Sequence, residues 1–297
     1  MVGLQSRRED TAAPPLVVRM LSIIHRVIML PGIILAVGSG GYLSAAAARA
    51  AEFVWQRLRG PDGALMRRYR DGEAAFAGQL DDHAYFARGC LELFLATHEP
   101  VWLERASSVT TVMLERFWDD ADGACFESPA DDVSSPQTGG LLARLKDTFD
   151  GAELAGNSVA AEVLWRLGTL LERPDWCERA ARSFAYHARR LASAPWAMPR
   201  MIAIMERGAA APGHVVIVGP RDHVDTRALL AVAEARLRAD DDIVLVDDAN
   251  REALKPLTPF AALLPMREGR PTAYVCVDHA CRQPVHTPEQ LAVLLDA

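Results

Sequence analysis

The chain has 297 residues and a mass of 32.4 kDa, half of them apolar, which is enough for a substantial buried core and excludes a disordered protein. A net charge of -7 and a pI near 5.6 give no general attraction to phosphate backbones or anionic lipid, so nucleic acid is not an expected partner. Five cysteines at wide spacing, Cys90, Cys125, Cys177, Cys276 and Cys281, suit reduced thiols better than a secreted disulfide framework, and the expected location is the cytoplasm.

Residues 1–15 are polar, contain proline and lack periodicity, which predicts disorder. The run at 16–37, LVVRMLSIIHRVIMLPGIILAV, is long enough for a bilayer, but Arg19, His25 and Arg26 interrupt it and Pro31 would bend it. A signal or anchor, a stretch packed on the domain and a divergent N-terminus all remain open readings, and a membrane is not the expected partner. Ordered structure is expected to begin near Tyr42, with a helix over residues 45–59.

From there to about residue 207, helical patterns alternate with short links. The phrase Pro100-Val-Trp102-Leu-Glu104-Arg105-Ala106 returns as Pro174-Asp-Trp176-Cys-Glu178-Arg179-Ala180, with proline at a helix start and tryptophan two residues on. A predicted helix precedes each phrase, at 82–97 and 158–171, so the repeating unit is an αα-hairpin. One amphipathic hairpin cannot bury its own apolar stripe, so successive hairpins must stack, and a curved stack closes into a ring of inner and outer helices. Asp62-Gly63 and Asp122-Gly123 mark turns beside two short strand-like pieces, 65–70 and 124–128. Trp102, Trp176, Phe53, Phe117 and Phe184 recur at helical spacing and read as core; Trp55, Trp165 and Trp196 stay unassigned.

After residue 212 the pattern becomes strand (214–218), helix (225–238), strand (242–246) and a third strand (273–277), which predicts a modest parallel βαβ unit. Gly219 stands alone after its strand and makes no dinucleotide fingerprint, so no cofactor is expected. Cys276, His279, Cys281 and His286 are all metal-ligand types, although their spacing fits no standard zinc site. A redox pair of Cys276 with Cys281, or inert thiols, is the other reading.

The phrases Gln79-Leu-Asp81-Asp82-His-Ala-Tyr85-Phe86, Lys146-Asp147, Asp150-Gly-Ala-Glu153-Leu-Ala-Gly156-Asn157-Ser158, Val215-Val-Ile-Val-Gly219 and Thr272-Ala-Tyr-Val-Cys276, followed by Cys281, Pro284 and Glu289, resemble in their order the C-terminal part of the spermatogenesis-associated protein 20 family. The likeness covers about residues 42–297. It implies a mainly α fold: part of an (α/α)6 toroid similar to six-hairpin glycosidases and N-acylglucosamine 2-epimerases over 42–210, ending in a small α/β segment over 211–297. It also implies an upstream thioredoxin-like domain, which this chain lacks together with the early hairpins; residues 1–41 match nothing in the family. An incomplete ring would expose helix flanks, so self-association or a thioredoxin-like partner is an expectation beside a carbohydrate ligand.

In such toroids the chemistry sits in the central funnel, at the N-terminal ends of inner helices. Asp82 and Glu153 are therefore the predicted catalytic pair, one protonated and one ionised, as glycoside hydrolysis requires. Asp81, Tyr85, Lys146, Asp150 and Asn157 are predicted to contact substrate. The same acids and amides are also favoured helix caps, so Asp81, Asp82, Asn157 and Ser158 could serve only orphan backbone donors. A non-catalytic scaffold, or a degenerate fragment, is the alternative to a sugar-binding or sugar-processing domain.

Overall fold

The computed structural model describes residues 40–131, 143–209, 213–236, 242–277 and 280–296. The disorder expected at 1–15, the apolar run at 16–37 and His279 lie outside the described residues. The described part is mainly α, with ten helices and two small sheets. Among the described residues no helix is long and apolar enough to cross a membrane.

Helix α1 spans Gly40–Arg57 and leads into a two-stranded hairpin, β1 (Met66–Arg70) and β2 (Glu73–Ala77). The first turn glycine, Gly63, has φ +83°, a conformation that side chains resist, which is why Asp62-Gly63 was legible as a turn. The second strand is a finding beyond the sequence pattern: Asp71 and Gly72, at φ 53° and 87°, close a two-residue turn that pairs Arg70 with Glu73.

Two helical hairpins follow, α2 (Leu80–Thr97) with α3 (Pro100–Phe117) and α4 (Gly156–Leu170) with α5 (Pro174–Ser193). The repeated Pro-x-Trp phrase opens α3 and α5, each with proline in the first turn, and Trp102 and Trp176 are buried. Burial separates inner from outer members. Helix α4 buries 14 of its 15 residues and α2 buries 12 of 18, whereas α5 buries only the stripe Trp176, Ala180, Ser183, His187 and Leu191. Close approach explains the small residues: a Cβ on Gly168 would stand 2.7 Å from Cys177 Sγ and 3.0 Å from its backbone nitrogen, so α4 and α5 meet where a larger residue would push them apart.

The piece 124–128 forms no strand but an irregular link carrying one bridge, Trp118 to Cys125. Its backbone groups are satisfied by neighbours instead: Phe126 N–H donates to Phe117 O, Glu127 N–H to Leu145 O, and Glu127 O accepts from Leu80 N–H. After α5 a 3-10 turn, Pro195–Ala197, leads into α6 (Pro199–Ala209).

The remaining elements are β3 (Gly213–Val218), α7 (Val224–Arg236), β4 (Asp242–Val246), the short helices α8 (Arg251–Leu254) and α9 (Pro259–Ala262), β5 (Thr272–Val277), β6 (Ala280–Cys281) and α10 (Pro288–Leu295). Strands β3 and β4 are parallel through the α7 crossover. The third strand, β5, inserts on the other side of β3 and runs antiparallel, giving the order β4-β3-β5-β6. Both faces are covered, which accounts for unbroken apolar runs rather than alternation. Val216, Val218, Val244, Val246 and Tyr274 join the same core as the helical hairpins, while Val215, Ile217, Leu245 and Ala273 pack with Leu229 and Ala233 of α7 and Leu291 of α10.

Beside that shared core runs a buried ionic cluster. Arg166 of α4 lies 2.5 Å from Glu92 of α2, 3.0 Å from Asp242 of β4 and 3.5 Å from Glu162 of its own helix. Glu162 is also held by Arg88 of α2 and by Arg200 of α6.

Candidate functional site

Leu80 and Gly156 bring the N-terminal ends of α2 and α4 together, since a Cβ on Gly156 would lie 3.1 Å from the Leu80 side chain. A cleft of about 280 Å³ opens there, lined by Arg67, Asp81, Tyr85, Glu127, Asp147 and Glu153, with Gln79, Leu80, Leu154 and Gly156 completing its walls. Helix N-termini carry partial positive charge, which favours carboxylates at this end of the bundle.

The predicted site residues divide into two groups. Asp81, Tyr85 and Glu153 line the cleft. The Asp81 carboxylate lies 3.4 Å from Arg67 Nη2, and the Tyr85 hydroxyl donates to Leu154 O at 2.8 Å. Burial pushes the Tyr85 phenol well above its ordinary value, and the nearby Glu153 and Asp150 carboxylates add to that.

Asp82, Lys146, Asp150 and Asn157 are not among the cleft-lining residues; they hold the walls. Asp82 accepts the Gln79 N–H at 2.8 Å, capping α2 as its residue type allows. Lys146 donates to Asp119 and to Gly123 O, both at 2.7 Å, and its ammonium lies over the Tyr186 ring. Asp150 accepts from Ala155 N–H and Arg200 N–H, each at 2.9 Å, fixing the loop that carries Glu153.

Asn157 is buried and clasps the backbone of a single residue, accepting Cys125 N–H at 2.8 Å and donating to Cys125 O at 2.9 Å. That clasp positions the link bearing Glu127. Replacing Asn157 by Ala strands both backbone groups, and the expected loss is about 1–3 kcal/mol of unfolding free energy, measurable by urea titration.

Three charged cleft residues were not among the predicted site residues: Arg67, Asp147 and Glu127. Glu127 is half-buried, and burial, then the Asp147 and Asp81 carboxylates, raise its pKa above the usual carboxylate range. Its only sequence signal was position, four residues past the Asp122-Gly123 turn. The histidine within the same phrase, His83, is structural: it is buried, its Nε2 accepts Leu65 N–H at 3.0 Å, and burial lowers its pKa. Beyond Asp147 the loop exposes Phe149, whose ring meets the exposed Trp196 edge-on at 6.2 Å.

Cys276 and Cys281 oppose each other across β5 and β6 and are joined by a disulfide. Their sulfurs are thereby engaged with each other, and His286 Nδ1 lies 3.0 Å from Pro271 O.

No family model matches the chain. It is 33% identical over 218 residues to spermatogenesis-associated protein 20 of Homo sapiens and 32% identical over 218 residues to that of Rattus norvegicus. An uncharacterized protein of Caenorhabditis elegans is 26% identical over 220 residues. The human match covers 73% of this chain and 27% of the relative, so the chain spans about a quarter of the length of the curated relatives it matches.

Proposed function

We propose, from the premise that this chain belongs to the spermatogenesis-associated protein 20 family, that its cleft binds a carbohydrate and acts on the anomeric centre through two carboxyl groups. In this reading the two helical hairpins are part of an (α/α) toroid, and the cleft is the base of its funnel. The observation that carries the reading is that two acids, Glu127 and Glu153, line one cleft at the N-terminal ends of α2 and α4. Glu127 is half-buried among like charges and keeps its proton above the usual carboxylate range, which suits donation to a leaving oxygen. Glu153 is exposed on the opposing loop and is placed to serve as the second carboxyl group, base or nucleophile. Arg67 and Tyr85 supply polar contacts for hydroxyl groups, and Asp82 acts from behind them, through the cap that sets the α2 terminus and through its carboxylate 3.8 Å from Arg67.

The test is a thermal-shift screen of the chain against neutral sugars, amino sugars and uronic acids, repeated with Glu127→Gln, Glu153→Gln and Asp82→Asn. One sugar class is expected to raise the melting point of the native chain, and both glutamine variants are expected to abolish the rise. Asp82→Asn is expected to lower the unliganded melting point while retaining it. Because the folded Glu127 prefers its proton, its stabilising contribution is present below the unfolded value of 4.5 and is lost as pH rises through the folded value. Glu127→Gln mimics the protonated form and is therefore expected to fold at least as stably at neutral pH. A chain whose melting point no sugar moves would overturn the reading.

A further inference from the structure

The four-stranded sheet places four chemically active residues in one register row: Asp242 on β4, His214 on β3, Cys276 on β5 and Cys281 on β6. His214 Nδ1 lies 3.7 Å from Asp242 Oδ2 and the cysteines are bonded, so the row runs from a buried carboxylate to an exposed edge. The two sulfurs differ sharply in surroundings. Cys276 is 1% exposed within the core, whereas Cys281 is exposed on a two-residue edge strand. A cleft of about 210 Å³ beside them is lined by His214, Asp242, Cys276 and Arg282.

We propose that Cys276 and Cys281 form a reversible thiol–disulfide exchange site, reduced by a dithiol that attacks the exposed Cys281 sulfur. A thiolate of the dithiol bonds to Cys281 Sγ, the Cys276–Cys281 bond breaks, and Cys276 leaves as a thiolate. The second thiol of the dithiol then attacks its own sulfur in the mixed disulfide and releases Cys281. Two electrons pass from the dithiol to the pair, the two thiol protons reach Cys276 and Cys281 through solvent, and the reductant leaves as a disulfide.

Two features make the site reversible and selective. First, the segment after β6 is pinned without help from the sulfur bond: Arg282 N–H donates to Val275 O at 2.9 Å, Ala273 and Val285 exchange both backbone bonds, and Arg282 Nη1 donates to Leu294 O. Opening the disulfide therefore leaves the cysteines facing each other, ready to reoxidise. Second, the other cysteines offer little competition. Burial pushes the thiols of Cys90 and Cys125 up to about 12 and raises Cys177, so their thiolates are scarce at neutral pH.

The experiment uses the full chain equilibrated with oxidised glutathione, then treated with graded dithiothreitol, trapped with iodoacetamide and read by mass spectrometry. The peptide holding both cysteines is expected to be unlabelled before dithiothreitol, doubly labelled after it, and unlabelled again when oxidised glutathione is restored. In single variants, Cys276→Ser is expected to capture glutathione at Cys281 about tenfold or more faster than Cys281→Ser captures it at Cys276, because reaction follows access. Labelling of both cysteines despite oxidised glutathione would overturn the proposal, as would a disulfide that dithiothreitol opens but oxidised glutathione does not re-form. Equal capture rates in the two variants would overturn the direction of attack, and the native-chain experiment stands even if a variant fails to fold.

Discussion

Arg166→Met is expected to lower the unfolding free energy by about 3–5 kcal/mol, read as a fall in the urea midpoint. Arg166 is 1% exposed, and although burial opposes its charge, the Glu92, Asp242 and Glu162 carboxylates outweigh that and hold the guanidinium charged. Removing it leaves Asp242, itself 2% exposed, facing His214 as its remaining ionisable partner among the described residues, and leaves Glu162 dependent on Arg88 and Arg200. The cost is that of an uncompensated buried charge rather than the net worth of the ion pairs. A second substitution decides this: adding Asp242→Leu to Arg166→Met is expected to recover part of the loss, since it removes the stranded carboxylate and replaces it with apolar volume. If the double variant is as unstable as the sum of the singles, the cluster matters through packing and not through charge compensation. Because Arg166 ties α4 to α2 and to β4, the same variant should loosen the join between hairpins and sheet, visible as faster amide exchange in β4.

The second large effect is acid destabilisation through His98. This residue ends α2 in the left-handed region at φ 56°, and Asn250 Nδ2 donates to its carbonyl at 3.1 Å. Burial first, and then the Arg221 guanidinium, lower its pKa from 6.5 to about 4 against the opposing Asp247 carboxylate. The folded chain thus keeps the ring neutral where the unfolded chain would protonate it. Its contribution is present above pH 6.5 and is lost as pH falls toward 4, an expected loss of about 3 kcal/mol over that window. His83 and His187 shift downward for the same first cause, burial, and act in the same direction. Denaturant titrations at several pH values should show stability falling below pH 6.5 in the native chain. His98→Asn, which tolerates the left-handed backbone and carries no titrating ring, should flatten the slope by about one proton. An unchanged slope would mean that His98 reaches solvent.

How much of this was legible beforehand varies by feature and has physical reasons. The inner and outer helices could be read because a repeated Pro-x-Trp phrase marks helix starts, and amphipathic period is a local property. Strand β2 escaped because EAAFA has little β-branched content; it exists because Asp71-Gly72 turns it back onto β1. The antiparallel entry of β5 also escaped, since direction in a sheet depends on where the chain returns and not on the strand's own residues.

The cleft divides in the same way. Composition and short-range pattern by themselves determined that the chain is mainly helical, that acids gather at the starts of two inner helices, and that a small α/β segment follows. Those are consequences of side-chain period, turn chemistry and capping preference, all acting within a few residues. Only the tertiary structure decided which acids line the cleft. Asp82 turned into its own cap and Asn157 onto the Cys125 peptide, while Glu127 entered from a link about 30 residues before Asn157, because that clasp and the Leu80–Glu127 backbone bond draw the link across the helix ends. A residue's type states which bonds it can make. The neighbours that packing brings within hydrogen-bonding reach decide which of those bonds it does make, and hence which carboxylates are left lining the cleft.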